Sequence, residues 1–285
     1  MAETWTVKKL IDWTTDHFKR NGIENPHLEA EILLAHAMGT ERIKLYINFE
    51  NVVAQKERDI FKGHIQRRIK REPTAYITGY QPFLSLNFNV TSGVLIPRPE
   101  TEMLVQEAIG IAKVIGRKVR LLDIGTGSGA IAVSLAKFIN DIEIVATDSS
   151  DKALEIAGVN AKKHGVTDKI IFVKADLFPS DSTKFDIIVS NPPYIRSSDI
   201  KTLQPEVRDH EPVQALDGGT DGLGIYRRMI NDLLAHMNSG SFLLLEIGMG
   251  QAREISEMVR KAFPKCDIQF KKDLSGIERI LIARI

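Results

Sequence analysis

From Arg120 to Ile285 the chain alternates short apolar runs with helical stretches, and that alternation leaves few folds open. The runs at 121–124, 142–147, 170–173, 186–190 and 242–246 are dominated by Leu, Ile, Val and Phe rather than by alternating polar positions. Strands buried on both faces read this way, and strands separated by helices run parallel. The pattern predicts an α/β fold with a doubly wound sheet. Two further runs, 267–271 and 279–283, lie too close together for a helical crossover, so one of them must be antiparallel to the rest. Seven strands with one antiparallel member are therefore expected. Ligands of such sheets sit in the crevice outside the carboxyl ends of the strands, so the residues that follow each run are the candidates for chemistry.

The run 186–190 delivers Asn191-Pro192-Pro193-Tyr194 into that crevice. Two consecutive prolines end a strand at once and have no N–H to donate. Their carbonyls and the Asn191 side chain form a stiff set of hydrogen-bonding groups suited to a planar NH2 group. A proline-terminated strand with an incidental tyrosine is the plain alternative. After the first run comes Asp123-Ile124-Gly125-Thr126-Gly127-Ser128-Gly129-Ala130, a glycine-rich turn entering a helix at 131–138. Gly125, Gly127 and Ala130 satisfy a dinucleotide fingerprint, and Gly125, Gly127 and Gly129 equally satisfy a tighter turn with glycine at every second residue. Asp148 ends the second run, placed to accept from ribose hydroxyls, and Asp176 follows the third, where an adenine amine is a fitting donor. Asp123 would repel a pyrophosphate but suits a cofactor that carries an ammonium group, which favours S-adenosylmethionine over a nicotinamide dinucleotide.

The first seventy residues carry helical signals instead. Thr6 caps a helix with Val7, Leu10, Ile11 and Phe18, and Asn25-Pro26 opens one with Leu28, Ile32, Leu33 and Ala37. Residues 41–47 suggest a short third helix. Beyond Val53, Ile60, Phe61, Ile65 and Ile69 recur at three- and four-residue steps, with Lys62, Arg67, Arg68, Lys70 and Arg71 on the other faces. That basic face reads either as a solvated surface or as a contact for a partner protein, and Trp5 and Trp13 are expected in the helical core. Residues 1–73 are expected to form a small helical bundle that recognises the partner, 74–95 a β-hairpin linker and 96–285 the catalytic domain. The segment 97–102, Pro-Arg-Pro-Glu-Thr-Glu, opens a helix with acidic residues in its first turn, and Arg98 and Glu100 are expected to border the crevice. Glu246, before Gly248 and Gly250, is expected either to shape the crevice or to stabilise the turn.

At 285 residues with 43% hydrophobic and 26% charged, the chain has material for one large or two ordinary domains. A net charge of +1 supplies no global attraction to nucleic acid or to an anionic membrane. One cysteine, Cys266, excludes an intrachain disulfide and fits a reducing compartment, and the seven histidines show no paired ligand spacing, so no metal is implied. The N-terminal stretch lacks a signal layout and no apolar run approaches ~20 residues, so a cytoplasmic protein without membrane association is expected. Composition sets no oligomeric state, and a monomer is the working expectation.

The strand order and the loop Asp123 to Gly129 resemble the class I S-adenosylmethionine-dependent methyltransferases, in which Asn-Pro-Pro-Tyr after the fourth strand marks transfer to a planar nitrogen. Two acceptors compete: the exocyclic amine of a nucleobase and a glutamine side-chain amide. No large insertion suggests a nucleic-acid recognition region. Nearly the whole chain resembles the release-factor glutamine methyltransferase family. The resemblance lies in residues 71–79, 94–102, 123–129, 191–195 and 211–226, the last with Leu216-Asp217-Gly218-Gly219 and Asp221-Gly222-Leu223. It implies methyl transfer from S-adenosylmethionine, with S-adenosylhomocysteine as product, to the glutamine of the Gly-Gly-Gln motif in peptide chain release factors, without a metal or a stably bound nucleic acid. A related family acts on a glutamine of a ribosomal protein, and 97–102 looks more like the release-factor group. The cofactor contacts so implied are Gly125, Thr126, Gly127, Ser128, Gly129, Asp148, Asp176, Leu177 and Asn191, alongside Asp123. Asn191, Pro192, Pro193 and Tyr194 would hold the substrate glutamine, with Arg98 and Glu100 also on the substrate-binding side, and Asn191, Pro192 and Tyr194 catalytic. Many relatives carry an aromatic residue where Leu177 stands.

Overall fold

The computed structural model describes residues 4–285, so residues 1–3 of the stretch read for a signal lie outside the described residues. Two compact units result: one ends at Tyr80 and includes Gln204–His210, and the other comprises Gln81–Leu203 and Glu211–Ile285.

The first unit holds α1 (Val7–Arg20), α2 (Pro26–Ala37), α3 (Arg42–Ile47), α4 (Gln55–Ile69) and α5 (Thr74–Thr78). Thr6 caps α1, its hydroxyl oxygen accepting from the Lys9 N–H at 3.3 Å. The buried stripe of α1 is Val7, Leu10, Ile11, Thr14 and Phe18, which leaves Trp13 on the opposite side, 45% exposed and stacked on His17 at 5.0 Å. Trp13 is thus not a core residue, because helical spacing and not hydrophobicity selects the buried face. In α2 the core face is Ala30, Leu33, Leu34 and Ala37, while Leu28 is exposed. Asn25 precedes Pro26 in the left-handed region (φ 49°) and caps nothing with its side chain.

Of the basic residues in and just after α4, Lys62, Arg67 and Lys70 are exposed, whereas Arg68 and Arg71 are committed to partners within the unit. Arg68, 4% exposed, donates to Glu29 at 3.1 Å and to Glu206 at 3.0 Å. Arg71 donates to the carbonyls of Asn21 and Gly22, both at 2.9 Å, and to Glu206 at 3.2 Å. Arg67 holds Glu72 and the carbonyl of Tyr76. A buried guanidinium is tolerated only when its donors are satisfied, and here two carboxylates do it. His36 and His64 meet at 5.0 Å inside the same unit, and burial lowers the pKa of both, with Arg67 lowering them further. Their folded values lie below the unfolded value of 6.5. The unfolded chain therefore takes up protons first, and stability present above pH 6.5 is lost as pH falls below it. The thermal midpoint of this unit is expected to drop between pH 7 and pH 5, and to drop less in a His36→Gln, His64→Gln double variant; equal slopes would rule the pair out as the cause.

The hairpin is shorter than the sequence suggested. Thr74–Thr78 is a helical turn closed by Gly79 in the left-handed region (φ 80°), and only β1 (Tyr80–Phe83) and β2 (Leu86–Asn89) pair. Thr and Ile at 74, 77 and 78 looked like strand residues, but the helical cap at Gly79 overrides a local β preference.

The second unit continues with α6 (Pro99–Ile115), β3 (Val119–Ile124), α7 (Ala130–Phe138), β4 (Ile142–Asp148), α8 (Asp151–His164), β5 (Ile170–Lys174) and β6 (Phe185–Ser190). After α9 (Pro205–Arg208), which lies in the first unit, come α10 (Gly224–His236), β7 (Met237–Glu246), α11 (Ala252–Ala262), β8 (Asp267–Lys272) and β9 (Glu278–Arg284). The seven-stranded sheet has the order β5-β4-β3-β6-β7-β9-β8, with β9 antiparallel to both neighbours. Alternation divides its side chains between two cores. Leu121, Ile187, Val189 and Leu244 face the layer of α6 and α7, while Leu122, Ile124, Ile188, Leu243 and Leu245 face that of α10 and α11. This double burial is why the central strands read as predominantly apolar runs. The strand order reverses between β3 and β6, so their carboxyl ends border the crevice.

Candidate functional site

The loop after β3 is held from below. The N–H groups of Gly125 and Thr126 both donate to the Thr147 carbonyl at 2.9 Å. Gly125, Gly127 and Gly129 all have positive φ (73°, 56° and 80°), which only glycine adopts at little cost. They serve two purposes. A Cβ on Gly125 or Gly127 would meet nothing within 4 Å, so these two leave open space at the strand end. A Cβ on Gly129 would lie 3.0 Å from the Ala157 Cβ, so this one permits close packing of the start of α7 on α8.

Asp123 lies beneath the loop, fully buried, with Oδ2 accepting from the Thr126 hydroxyl at 2.7 Å and Oδ1 unpartnered. Burial pushes its carboxyl up to about 7. Thr126 and Ser128 are buried as well, and the Ser128 carbonyl accepts from Asn160 at 2.8 Å. Asp148, half-buried at the end of β4, accepts from the N–H of Gly127 and of Ser150, each at 2.9 Å. A carboxylate offers about four lone-pair positions, so half of them remain open for a ligand. Asp176 is exposed and pairs with Arg228 of α10 at 2.6 Å. Leu177 stands in the left-handed region (φ 78°), held there by the Thr147 hydroxyl, which donates to its carbonyl at 2.6 Å. A leucine in that conformation is strained by roughly 1–2 kcal/mol, and such strain persists where surrounding structure imposes it.

Across the switch point, the Ser190 hydroxyl donates to the Ile124 carbonyl at 2.8 Å, tying the root of the Asn191 loop to that of the glycine loop. Asn191 donates from Nδ2 to the Thr101 hydroxyl at 3.1 Å. Thr101 in turn donates to Glu246 Oε2 at 2.6 Å, and Tyr194 reaches Glu246 Oε1 at 3.4 Å. Glu246 is buried, and that burial lifts its carboxyl to about 7. Burial and the Glu246 charge raise the Tyr194 pKa, so Tyr194 remains protonated. Glu246 is thus bonded to both Thr101, which holds Asn191, and Tyr194.

The backbone of Pro193 and Tyr194 rests on a glycine shelf. Ile195 donates to the Leu216 carbonyl at 3.0 Å and accepts from Gly218 at 2.8 Å. A Cβ on Gly218 would lie 2.8 Å from both the Pro193 carbonyl and the Tyr194 Cα. Gln251 clamps the other side, its Nε2 donating to the Tyr194 carbonyl at 3.1 Å and its Oε1 accepting from Gly248 at 2.9 Å.

Arg98 is committed to Glu211 at 2.6 Å, and Glu211 also accepts from the Ile96 N–H at 3.3 Å. That pair braces the segment leading into α6. Glu100 is half-buried in the first turn of α6, and its charge raises the pKa of both Glu246 and Tyr194. The structure thus gathers Asn191, Tyr194 and Glu100 around Glu246, and the glycine loop and Asp148 around Asp123, with Asp176 paired outside. Thr101, Gln251 and Arg228 escaped the sequence reading. Thr101 sat inside a segment already read as a helix start, and nothing local marked the other two. Among the described residues no group of His, Cys, Asp and Glu is arranged to hold a metal ion, and no helix is long and apolar enough to cross a membrane.

Residues 9–79 match the family model described as the PrmC N-terminal domain, and residues 101–206 match that of the methyltransferase small domain. The chain is 43% identical to the release factor glutamine methyltransferase of Geobacter sulfurreducens over 99% of its own length and 98% of that protein. It is 42% identical to that of Rhodopirellula baltica, with the same two shares covered. Among solved structures, the T. Thermophilus 16S rRNA N2 G1207 methyltransferase in complex with AdoMet and guanosine shares the fold. Its TM-score is 0.52 at 17% identity, over 72% of this chain and 49% of that one. Full-length identity to the first two relatives at this level places the chain in the release factor glutamine methyltransferase family.

Proposed function

We propose that the protein transfers a methyl group from S-adenosylmethionine to the side-chain amide nitrogen of the glutamine in the Gly-Gly-Gln motif of peptide chain release factors, in the cytoplasm. The observation that carries this reading is the Asn191 carboxamide, anchored through its NH2 to Thr101 beside the open glycine loop. Its Oδ1 and the Pro192 carbonyl are two acceptors for the two N–H bonds of a primary amide. An amide nitrogen is a weak nucleophile because its lone pair is delocalised into the carbonyl. Accepting both N–H bonds orients the nitrogen and stabilises the positive charge that develops on it. Tyr194, protonated and half-buried, covers a flat amide with its ring.

The residues after β3, β4 and β5 fit S-adenosylmethionine. Gly125 and Gly127 leave room for it, Asp148 keeps open lone pairs for ribose hydroxyls, and the unpartnered Oδ1 of Asp123 suits an ammonium group. Leu177 supplies apolar cover and Asp176 an acceptor at the rim. When bound, the cofactor supplies an electrophilic methyl group on a sulfonium and leaves as S-adenosylhomocysteine. Arg98 serves this site through Glu211, by holding the segment that carries Glu100 and Thr101.

Labelled-methyl transfer into purified release factors, ribosomal proteins and nucleic acid, assayed in parallel, tests the reading. Label is expected in release factor, at the Gly-Gly-Gln glutamine. Label confined to a ribosomal protein or to nucleic acid would reject it.

A further inference from the structure

We propose that Thr101 and Glu246 act as positioning residues that determine which end of the Asn191 carboxamide faces the acceptor. The inference rests on the role given above to Asn191. Three separate elements converge here: Thr101 lies in the first turn of α6, Asn191 follows β6, and Glu246 ends β7. Thr101 Oγ1 is 2.6 Å from Glu246 Oε2 and 3.1 Å from Asn191 Nδ2. A threonine hydroxyl has one proton to give and lone pairs to offer. When an ionised Glu246 takes that proton, only lone pairs remain for Asn191, and only the NH2 end of a carboxamide complements a lone pair. Oδ1 is then turned away from Thr101. The reversed carboxamide would set its NH2 against the NH2 of the substrate, donor against donor, and leave both unsatisfied.

Everything packed around Glu246 bears on whether it stays an acceptor. Tyr194 donates to Oε1 at 3.4 Å, and Tyr226 donates to the Glu246 backbone carbonyl at 2.7 Å. Arg279 on β9 favours the charged form, while Glu100 on α6 opposes it together with burial. With the carboxyl lifted to about 7, the relay has a pH range. Above that value Glu246 accepts and the carboxamide is oriented. Below it, the protonated carboxyl donates to Thr101, whose own proton then goes to Asn191 and favours the reversed carboxamide. Turnover should therefore fall on the acid side with an apparent pKa set by Glu246.

The test compares Thr101→Val, Thr101→Ser and Glu246→Gln with the wild type in steady-state methyl transfer into release factor across pH 5.5 to 9. Thr101→Val is expected to lower kcat roughly 100-fold while KM for release factor and for the methyl donor stays within about threefold. Thr101→Ser, which keeps the hydroxyl, recovers most of that loss, and Glu246→Gln loses the acid limb. Equal kcat in Thr101→Val and wild type, or an acid limb in kcat at saturating methyl donor, where a loss of donor binding through Asp123 is masked, that is unchanged in Glu246→Gln, overturns the proposal. A second readout is independent of substrate: the Asn191 side-chain 15N–1H signals of the free protein, assigned by their disappearance in Asn191→Asp. They should show contact with the Thr101 methyl and slow exchange with water, and fast exchange in Thr101→Val. Signals without that contact overturn the relay even if methylation proceeds. A wild-type enzyme that leaves release factor unlabelled but shows the contact would remove the substrate assignment and leave the relay standing.

Discussion

Asn191→Ala is expected to lower turnover at least ~100-fold, the scale of removing one preorganised hydrogen-bonding group from the position where charge develops. The substitution removes Oδ1, the acceptor proposed for one N–H of the substrate amide, and leaves the Pro192 carbonyl to orient the nitrogen alone. Cofactor affinity should change only modestly, because the glycine loop and Asp148 are braced by Thr147, Thr126 and Ser150 and not by Asn191. A kcat that falls while the KM for S-adenosylmethionine holds is the signature of a group that acts mainly in the transition state. Wild-type turnover in this variant would remove Asn191 from the mechanism.

The second large effect is structural in origin. Gly222 has φ 76°, and a Cβ there would overlap the Tyr194 carbonyl oxygen and lie 2.8 Å from Gln251 Nε2. Gly222→Ala thus incurs left-handed strain of roughly 1–2 kcal/mol and an overpacking cost of roughly 1–3 kcal/mol, about 3 kcal/mol together. For a unit of this size that corresponds to a fall in Tm of roughly 6–12 °C. The overlap is relieved only by moving the backbone at Tyr194 or breaking the Gln251 clamp, and a displacement of about 1 Å at the acceptor costs on the order of 100-fold in rate. Gly219→Ala is the control. Its φ of 90° is strained too, but its nearest neighbour is the Gly224 Cα at 4.0 Å. Melting curves and kcat for the pair separate the two causes: Gly219→Ala should lose stability alone, and equal kcat losses in both would refute the overlap account.

How far the sequence could be read followed from how local each cause was. The central strands stood out because the middle of the sheet is buried on both faces, so each of them carries its own apolar run without help from distant residues, whereas the edge strand β8 is mostly polar. That one of the last two strands is antiparallel followed from the short connection between them; that it is β9 is set by its place between β7 and β8. The helical turn at Thr74–Thr78 was missed because its β-branched residues argue locally for a strand, whereas the cap at Gly79 decides. Arg68 was unreadable for another reason: its two carboxylate partners lie 39 and 138 positions away. The same division runs through the site. The glycine loop and Asp148 announce themselves by composition at strand ends. Thr101 is an ordinary threonine until β6 and β7 bring Asn191 and Glu246 against it, from 90 and 145 positions away.

That spacing has a consequence for a chain emerging from the ribosome. The glycine loop, Asp148, Asp176 and Leu177 all fall within the contiguous stretch 123–177, spanning three adjacent strands of the sheet. The oriented carboxamide needs Thr101, Asn191 and Glu246 together, and so cannot exist before β7 has been made and docked beside β6. Pairings of such long range form late and slowly. The residues that would hold the methyl donor are thus all synthesised before β7, whereas the means to aim an amide at it waits for β7.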